Sequence, residues 1–320
     1  MSELLMIEPR PGSLDAQPWI LDRHGRKLVG LDHDRRLTEL RTGLARHPNV
    51  RSLPAQANPD RVAQVLGSVH EAHYLDALAR ARSPEPLLMP GLAAPGMAPD
   101  TPLCGEVALA AFEGVRTAIT AAQEIVAGAR FTYALCRPPG HHAGPGWLGG
   151  YCYLNNAAAA AQVLREAGTG PVGILDLDIH YPNGTAAIAE HMTDVSLHSL
   201  HAWPVANAPA GLARARTRRE RLVEFAAPPT HEVYLEAVTA AVAELTQSAA
   251  VLVVSLGYDT VEGDPHGCWS FSAPIFADIG RLLARAGVPV CVVQEGGYQL
   301  DSLAACGEAF ATGLLEGNLP

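Results

Sequence analysis

The chain has 320 residues, enough for one large α/β domain, and a chain of that size buries about three quarters of its unfolded surface. At 48% hydrophobic and 18% charged it is too apolar to be a long disordered chain. Its 23 Lys+Arg against 33 Asp+Glu leave a net charge of −10, which argues against a sequence-independent nucleic-acid binder.

In chain order, the patterning predicts helices over 60–81, 105–128, 156–167, 233–248, 274–286 and 302–316. Several of them run into a glycine placed to end a helix, as at Gly128, Gly168 and Gly287. Strands are predicted over 131–136, 172–178, 195–200, 222–226, 251–256 and 289–294. Continuous apolar runs of this length suit parallel strands buried on both faces. Their alternation with helices predicts an α/β fold, a mostly parallel sheet between two helical layers. Residues 83–102 are rich in Pro and Gly and read as a long surface loop, so the chain is expected to form a single domain over 1–320. No internal repeat stands out.

No apolar stretch reaches the ~18 residues of a membrane span, and MSELLMIEPRPG has no positive n-region followed by an apolar h-region. None of the six cysteines forms a C-x-x-C pair, and they lie scattered in apolar segments. They read as reduced thiols in a cytoplasmic protein, so a metal would be held by His and carboxylates. The basic run RARTRRER (214–221) reads as a solvated face.

In such sheets, ligands sit beyond the carboxyl ends of the strands. Four predicted strand ends carry chemistry: RPPGHHAGPG after Cys136, DLDIHYPNG after Leu175, GYDTVEGDPHG after Leu256 and QEGGYQ after Val293. Alternation along an extended strand points Asp176, Asp178 and His180 the same way, so Asp178 and His180 could share one metal ion. A third ligand must come from elsewhere, and Asp264 in the Gly-Asp-Pro turn is the natural candidate. Two carboxylates, one imidazole and an open position make a hydrolytic metal site. His141 and His142 suit proton transfer to and from an activated water. Tyr298 offers a hydroxyl to a developing oxyanion.

Three other motifs weigh less. Gly144-Pro-Gly146-Trp-Leu-Gly149 matches the dinucleotide pattern, but it does not directly follow a strand and Pro145 removes a backbone donor. His70 and His73 read as helix core or surface rather than metal ligands. No G-x-S-x-G elbow occurs.

Taken together and in this order, the strand-end segments resemble the histone deacetylase family of zinc amidohydrolases, most closely its acetylpolyamine amidohydrolase-like bacterial branch. The segments are RPPGHHAG, GGYCYLNNAA, ILDLDIHYPNGT, VSLH (195–198), LGYDTVEGDP and EGGY, with VHEAHYLDAL similar to the family's amino-terminal helix. The resemblance runs from about Val69 to the C-terminus. It implies a three-layer α/β/α sandwich of the arginase and deacetylase kind. It makes Asp178, His180 and Asp264 the ligands of Zn2+ or Fe2+. His141 and His142 become the tandem catalytic histidines, with Asp176 and Asn183 orienting their rings, and Tyr298 the carbonyl-polarising tyrosine. Tyr151 and Trp203 become tunnel walls, Asp100 a rim carboxylate, and His266 a residue at the tunnel mouth. A structural K+ is implied at Asp176, Asp178, His180, Ser196 and Leu197.

The chain departs from the family's His-His-Gly-Asn-Gly at Tyr181-Pro182, and 199–231 lacks the usual glycine-rich run. The insertion before Asp100 is short, so the dimer-built acidic specificity of polyamine-specific members is not expected. A homo-oligomer remains compatible with the sequence. The implied reaction is hydrolysis of a linear amide: an acetylpolyamine, acetyl-lysine or a related small N-acyl amine. The rivals are an arginase-like ureohydrolase, an amidohydrolase for a specialised biosynthetic amide, and a non-catalytic protein that keeps the pocket.

Overall fold

The computed structural model describes residues 3–10, 19–21, 26–95, 101–203 and 220–317. Its strands are β1 (Leu4–Glu8), β2 (Trp19–Leu21), β3 (Lys27–Val29), β4 (Val50–Pro54), β5 (Phe131–Ala134), β6 (Val172–Asp176), β7 (Val195–Ala202), β8 (Glu220–Phe225), β9 (Val251–Leu256) and β10 (Val290–Gln294). Its helices are α1 (Arg35–Leu44), α2 (Pro59–Val69), α3 (Ala72–Ala79), α4 (Gly105–Val126), α5 (Asn156–Glu166), α6 (Asn183–Ala189), α7 (His231–Leu245), α8 (Pro274–Ala284) and α9 (Leu300–Glu316). Eight strands form one sheet in the order β4-β1-β5-β10-β9-β6-β7-β8, and every neighbouring pair is parallel. β2 and β3 form a separate antiparallel pair.

The two-residue period of the strands builds two cores. Val251 and Val253 face one side, where they pack with α2, α4 and α5. Leu252, Val254 and Leu256 face the other, against α1, α7, α8 and α9. The expected three layers are therefore present, with the sheet buried on both faces as its unbroken apolar strands require.

The sequence pattern leaves β1, β4, α1 and α6 unassigned. β1 and β4 are each only five residues long, and the exposed side of β4 breaks the apolar run. Strand β6 stops at Asp176 instead of running to 178, because the Asp178 N–H turns back to the Asp176 carboxylate (3.2 Å) instead of joining the ladder.

The helix expected over 60–81 is two helices, broken at His70. His70 is extended (ψ 153°) and buried. Its Nδ1–H donates to the Gly144 carbonyl (2.8 Å), and its Nε2 accepts the Asn155 N–H (3.0 Å). The ring thus braces the loop that carries the histidine pair, and His73 lies exposed beside Glu71. Burial pushes the His70 pKa down to about 4, only partly offset by backbone carbonyls of that loop. A histidine held below its unfolded value costs stability as pH falls from about 6.5 towards 4. Between pH 7 and 4.5 the wild-type protein should lose about 2 to 3 kcal/mol more unfolding free energy than His70→Gln. Urea unfolding of both proteins at the two pH values checks this, and equal losses would refute it.

Candidate active site

β5, β10, β9 and β6 are consecutive in the sheet although far apart in sequence. Their carboxyl ends therefore open onto one place, and the four predicted segments meet there. Asp176 closes β6, fully buried, with its Oδ2 3.3 Å from His141 Nδ1. Just beyond it, the Asp178 carboxylate accepts the backbone N–H of His180 (2.9 Å) and of Gly296 (2.9 Å).

The residues drawn together around His180 are Asp178 and Asp259, not Asp178 and Asp264. His180 Nδ1 lies 2.9 Å from Asp178 Oδ1 and 3.0 Å from Asp259 Oδ2. One ligand atom from each of these three residues lies within 4.8 Å of the others. Asp264 is committed to backbone instead. Its Oδ2 accepts the N–H groups of Tyr298 and Gln299 (3.0 Å for the latter), and its Oδ1 accepts that of His266 (2.9 Å). The expected third ligand thus anchors the Tyr298 turn, and Asp259, three residues past the end of β9, stands instead beside Asp178 and His180.

This donor set fits a divalent cation. Asp178 and Asp259 are buried side by side, and burial, then the Asp178 charge, lifts Asp259 to about 7. Burial would also raise Asp178, but His141 and then His180 overcome it and hold it well below the usual range. Two buried carboxylates and an imidazole nitrogen are the hard and borderline donors that Zn2+ or Fe2+ accepts.

The paired histidine rings lie 4.0 Å apart between centroids, their planes tilted by 46°, with His142 5.8 Å from the His180 ring. They are not equivalent. Burial opposes charge on His141, but Asp178 and then Asp176 outweigh it and lift its pKa to about 10. Burial, then the His141 and His180 charges, push His142 well below its ordinary value. Asn183 Oδ1 lies 2.6 Å from His142 Nδ1, so that nitrogen carries the proton and donates it, leaving Nε2 as the bare base.

Tyr298 follows Gly296 and Gly297 out of β10. Gly297 has φ +118°, and a Cβ there would fall 2.6 Å from the Tyr258 Cβ, so only glycine makes this turn. The Tyr298 ring packs on the Arg36 guanidinium (4.4 Å) and lies 4.8 Å from His266 and 5.7 Å from Tyr151. Tyr151 Oη is 3.2 Å from His266 Nε2 and accepts the Leu31 N–H (3.4 Å), so the expected tunnel-wall residue and the expected mouth residue touch. Trp203 sits just past β7, half-buried, its N–H donating to the Phe225 carbonyl (2.9 Å). Asp100 lies outside the described residues.

The register of β7 separates two of the residues expected around a K+ from Asp176. S-L-H occurs twice in β7, at 196–198 and 199–201. The sheet pairs Asp176 with Ser199 and leaves Ser196 beside Gly173. A three-residue offset also reverses the face of the sheet. Ser196 and Leu197 are thus not neighbours of Asp176, whereas Ser199 and Leu200 are.

The sequence reading also missed Arg36 and Glu295. Arg36, on unassigned α1, is fully buried and donates to the carbonyls of Gly297 (2.6 Å) and Glu295 (2.5 Å), with Asp32 as its ion-pair partner. Its signal, one arginine among several in a charged stretch, cannot be told from a solvated face.

Residues 32–314 match the family model described as the histone deacetylase domain. An acetylpolyamine amidohydrolase from Mycoplana ramosa is 40% identical over 204 residues, covering 61% of this chain and 59% of that protein. Acetylpolyamine amidohydrolase 1 from Pseudomonas aeruginosa is 36% identical over 212 residues, covering 64% and 61%. The matches thus span about three fifths of the length of these curated relatives. The crystal structure of an acetylpolyamine aminohydrolase from Burkholderia pseudomallei superimposes with a TM-score of 0.80 at 28% identity, over 98% of both chains.

Proposed function

The chain belongs to the histone deacetylase family, and from that premise we propose that it is a zinc-dependent amidohydrolase that removes the acetyl group from an acetylated polyamine or a similar small acylated amine. The observation that carries this reading is the Asp178–His180–Asp259 donor set beside the His141–His142 pair, with the His142 ring 5.8 Å from that of His180. A divalent cation held by Asp178, His180 and Asp259, zinc or ferrous iron, would supply Lewis acidity to the scissile carbonyl and make water more acidic at neutral pH.

The chain's own residues do the rest. His142, neutral and oriented by Asn183, takes a proton from the attacking water at Nε2. His141, held as the imidazolium by Asp176 and Asp178, stabilises the negative charge that builds on the adduct. Tyr298 donates its hydroxyl hydrogen to the oxyanion. The adduct collapses as His142 returns the proton to the departing amine nitrogen. Tyr151 and His266 line the approach to Tyr298 and would meet the alkyl chain. The likeness to acetylpolyamine amidohydrolases favours an acetylpolyamine over an acetyl-lysine peptide.

The test is turnover of the zinc-loaded protein on N-acetylputrescine, N-acetylspermidine and an acetyl-lysine peptide. The acetylpolyamines should be hydrolysed with the highest kcat/KM. An absence of hydrolysis on all three would overturn the reading, and a preference for the peptide would overturn the substrate class.

A further inference from the structure

The geometry points to Glu295 as the residue that positions the histidine pair against Tyr298, through acceptor bonds from its buried carboxylate to the backbone of the histidine loop; this rests on the hydrolytic reading above. Glu295 is fully buried at the end of β10, three residues before Tyr298. Its Oε2 accepts the N–H of Gly140 (2.6 Å) and the N–H of His141 (3.1 Å), 155 and 154 residues away in sequence. Its Oε1 lies 3.3 Å from Ser255 Oγ, which donates to it, and Ser255 is the β9 residue paired with Asp176 of β6. Its main chain is tied as firmly: the N–H donates to the Leu256 carbonyl (2.9 Å), and the carbonyl accepts Arg36.

One side chain thus joins the ends of β5, β9 and β10. The β5 loop carries the proton-transfer group, and the β10 turn carries the oxyanion donor. These two groups act on the same carbonyl from different loops, so their separation must hold to a fraction of an ångström. Nothing in regular secondary structure sets it, because both segments have left the sheet. A buried carboxylate is costly unless hydrogen-bonded, and here every contact named is one that a neutral acceptor oxygen could also make. Positioning therefore asks only for the acceptor oxygen, and the carboxylate's charge separately adds to those that favour the His141 imidazolium. Glu295 is a positioning residue: it touches peptide groups and acts through His141, His142 and Tyr298.

The experiment compares Glu295→Leu, which removes the acceptor at similar volume, with Glu295→Gln, which restores an acceptor oxygen to the loop and an amide N–H to Ser255. In Glu295→Leu, kcat should fall about 10- to 100-fold while KM stays within about twofold and zinc content is unchanged. Hydrogen exchange at the Gly140 and His141 amides should speed up at least about tenfold, as expected when a local opening loses its hydrogen bonds. Glu295→Gln should recover kcat to within about threefold and restore slow exchange. The inference is overturned if Glu295→Leu keeps wild-type kcat, if it loses zinc in proportion to activity, or if exchange at these two amides does not change. It is equally overturned if folded Glu295→Gln is as impaired as Glu295→Leu, a comparison that survives even if the leucine variant folds poorly, since wild type then serves as reference. A wild-type protein inactive on acylated amines sinks the functional reading alone, because the exchange measurement reads the clamp without turnover.

Discussion

Asp259→Ala should come without bound zinc and without turnover, while Asp264→Ala should keep its zinc and lose only turnover. Asp259 Oδ2 and Asp178 Oδ1 flank His180 Nδ1 at 3.0 and 2.9 Å. Removing Asp259 leaves a two-residue site, and the carbonyl then loses a Lewis acid worth several kcal/mol, roughly 10³-fold in rate or more. Asp264 offers its oxygens to the N–H groups of Tyr298, Gln299 and His266 and has no place in the donor set. Its loss frees the turn that aims Tyr298, so the cost should approach that of one missing oxyanion donor, roughly 10²–10³-fold. Zinc content by atomic emission, measured on the same samples as turnover, separates the two. An Asp264→Ala protein that arrives metal-free, or an Asp259→Ala protein with full zinc, would show the ligand set to be wrong.

His142→Ala should lose about 10²–10⁴-fold in kcat, the usual worth of a general acid–base group, and His141→Ala distinctly less. The neighbouring rings differ because their surroundings do. Asp178 and Asp176 face His141 and favour its charged form, while His142 is buried beside the His141 charge with an uncharged amide partner. A group that gives and takes a proton must be neutral at the start of the cycle, and only His142 meets that condition. On the proposed mechanism His141 works by charge, so its removal should weaken stabilisation of the oxyanion and leave the proton path. Steady-state kinetics on both variants at matched zinc content decide the matter; equal losses would remove the division of labour.

Much of this was readable from the residues. Unbroken apolar strands separated by helical runs dictate a parallel sheet covered on both faces, since no other arrangement buries them. Chemistry-bearing residues at the ends of those runs locate the site, because parallel strands deliver all their carboxyl ends to one edge. His141 beside Asp176 and His142 beside Asn183 are what the family resemblance implied, and the structure has both contacts. What the residues could not decide were choices between near-identical candidates. GYDTVEGDP offers two aspartates, and S-L-H appears twice in six residues. A carboxylate next to a strand end and another five residues along a loop look alike in one dimension. Only the neighbouring strand β6 separates them, by placing Asp259 against His180 and leaving Asp264 to the backbone of the Tyr298 turn. Sheet register, a property of two strands and not of one, likewise puts Ser199 and not Ser196 beside Asp176. The bonds from Arg36 to the β10 turn and from the histidine loop to Glu295 span 154 to 261 residues, and no local pattern encodes them. Identity and order of the chemical groups thus belong to the chain itself, while the choice of partner for each group was made by packing, because a buried charge is tolerated only where distant segments bring it a counterpart.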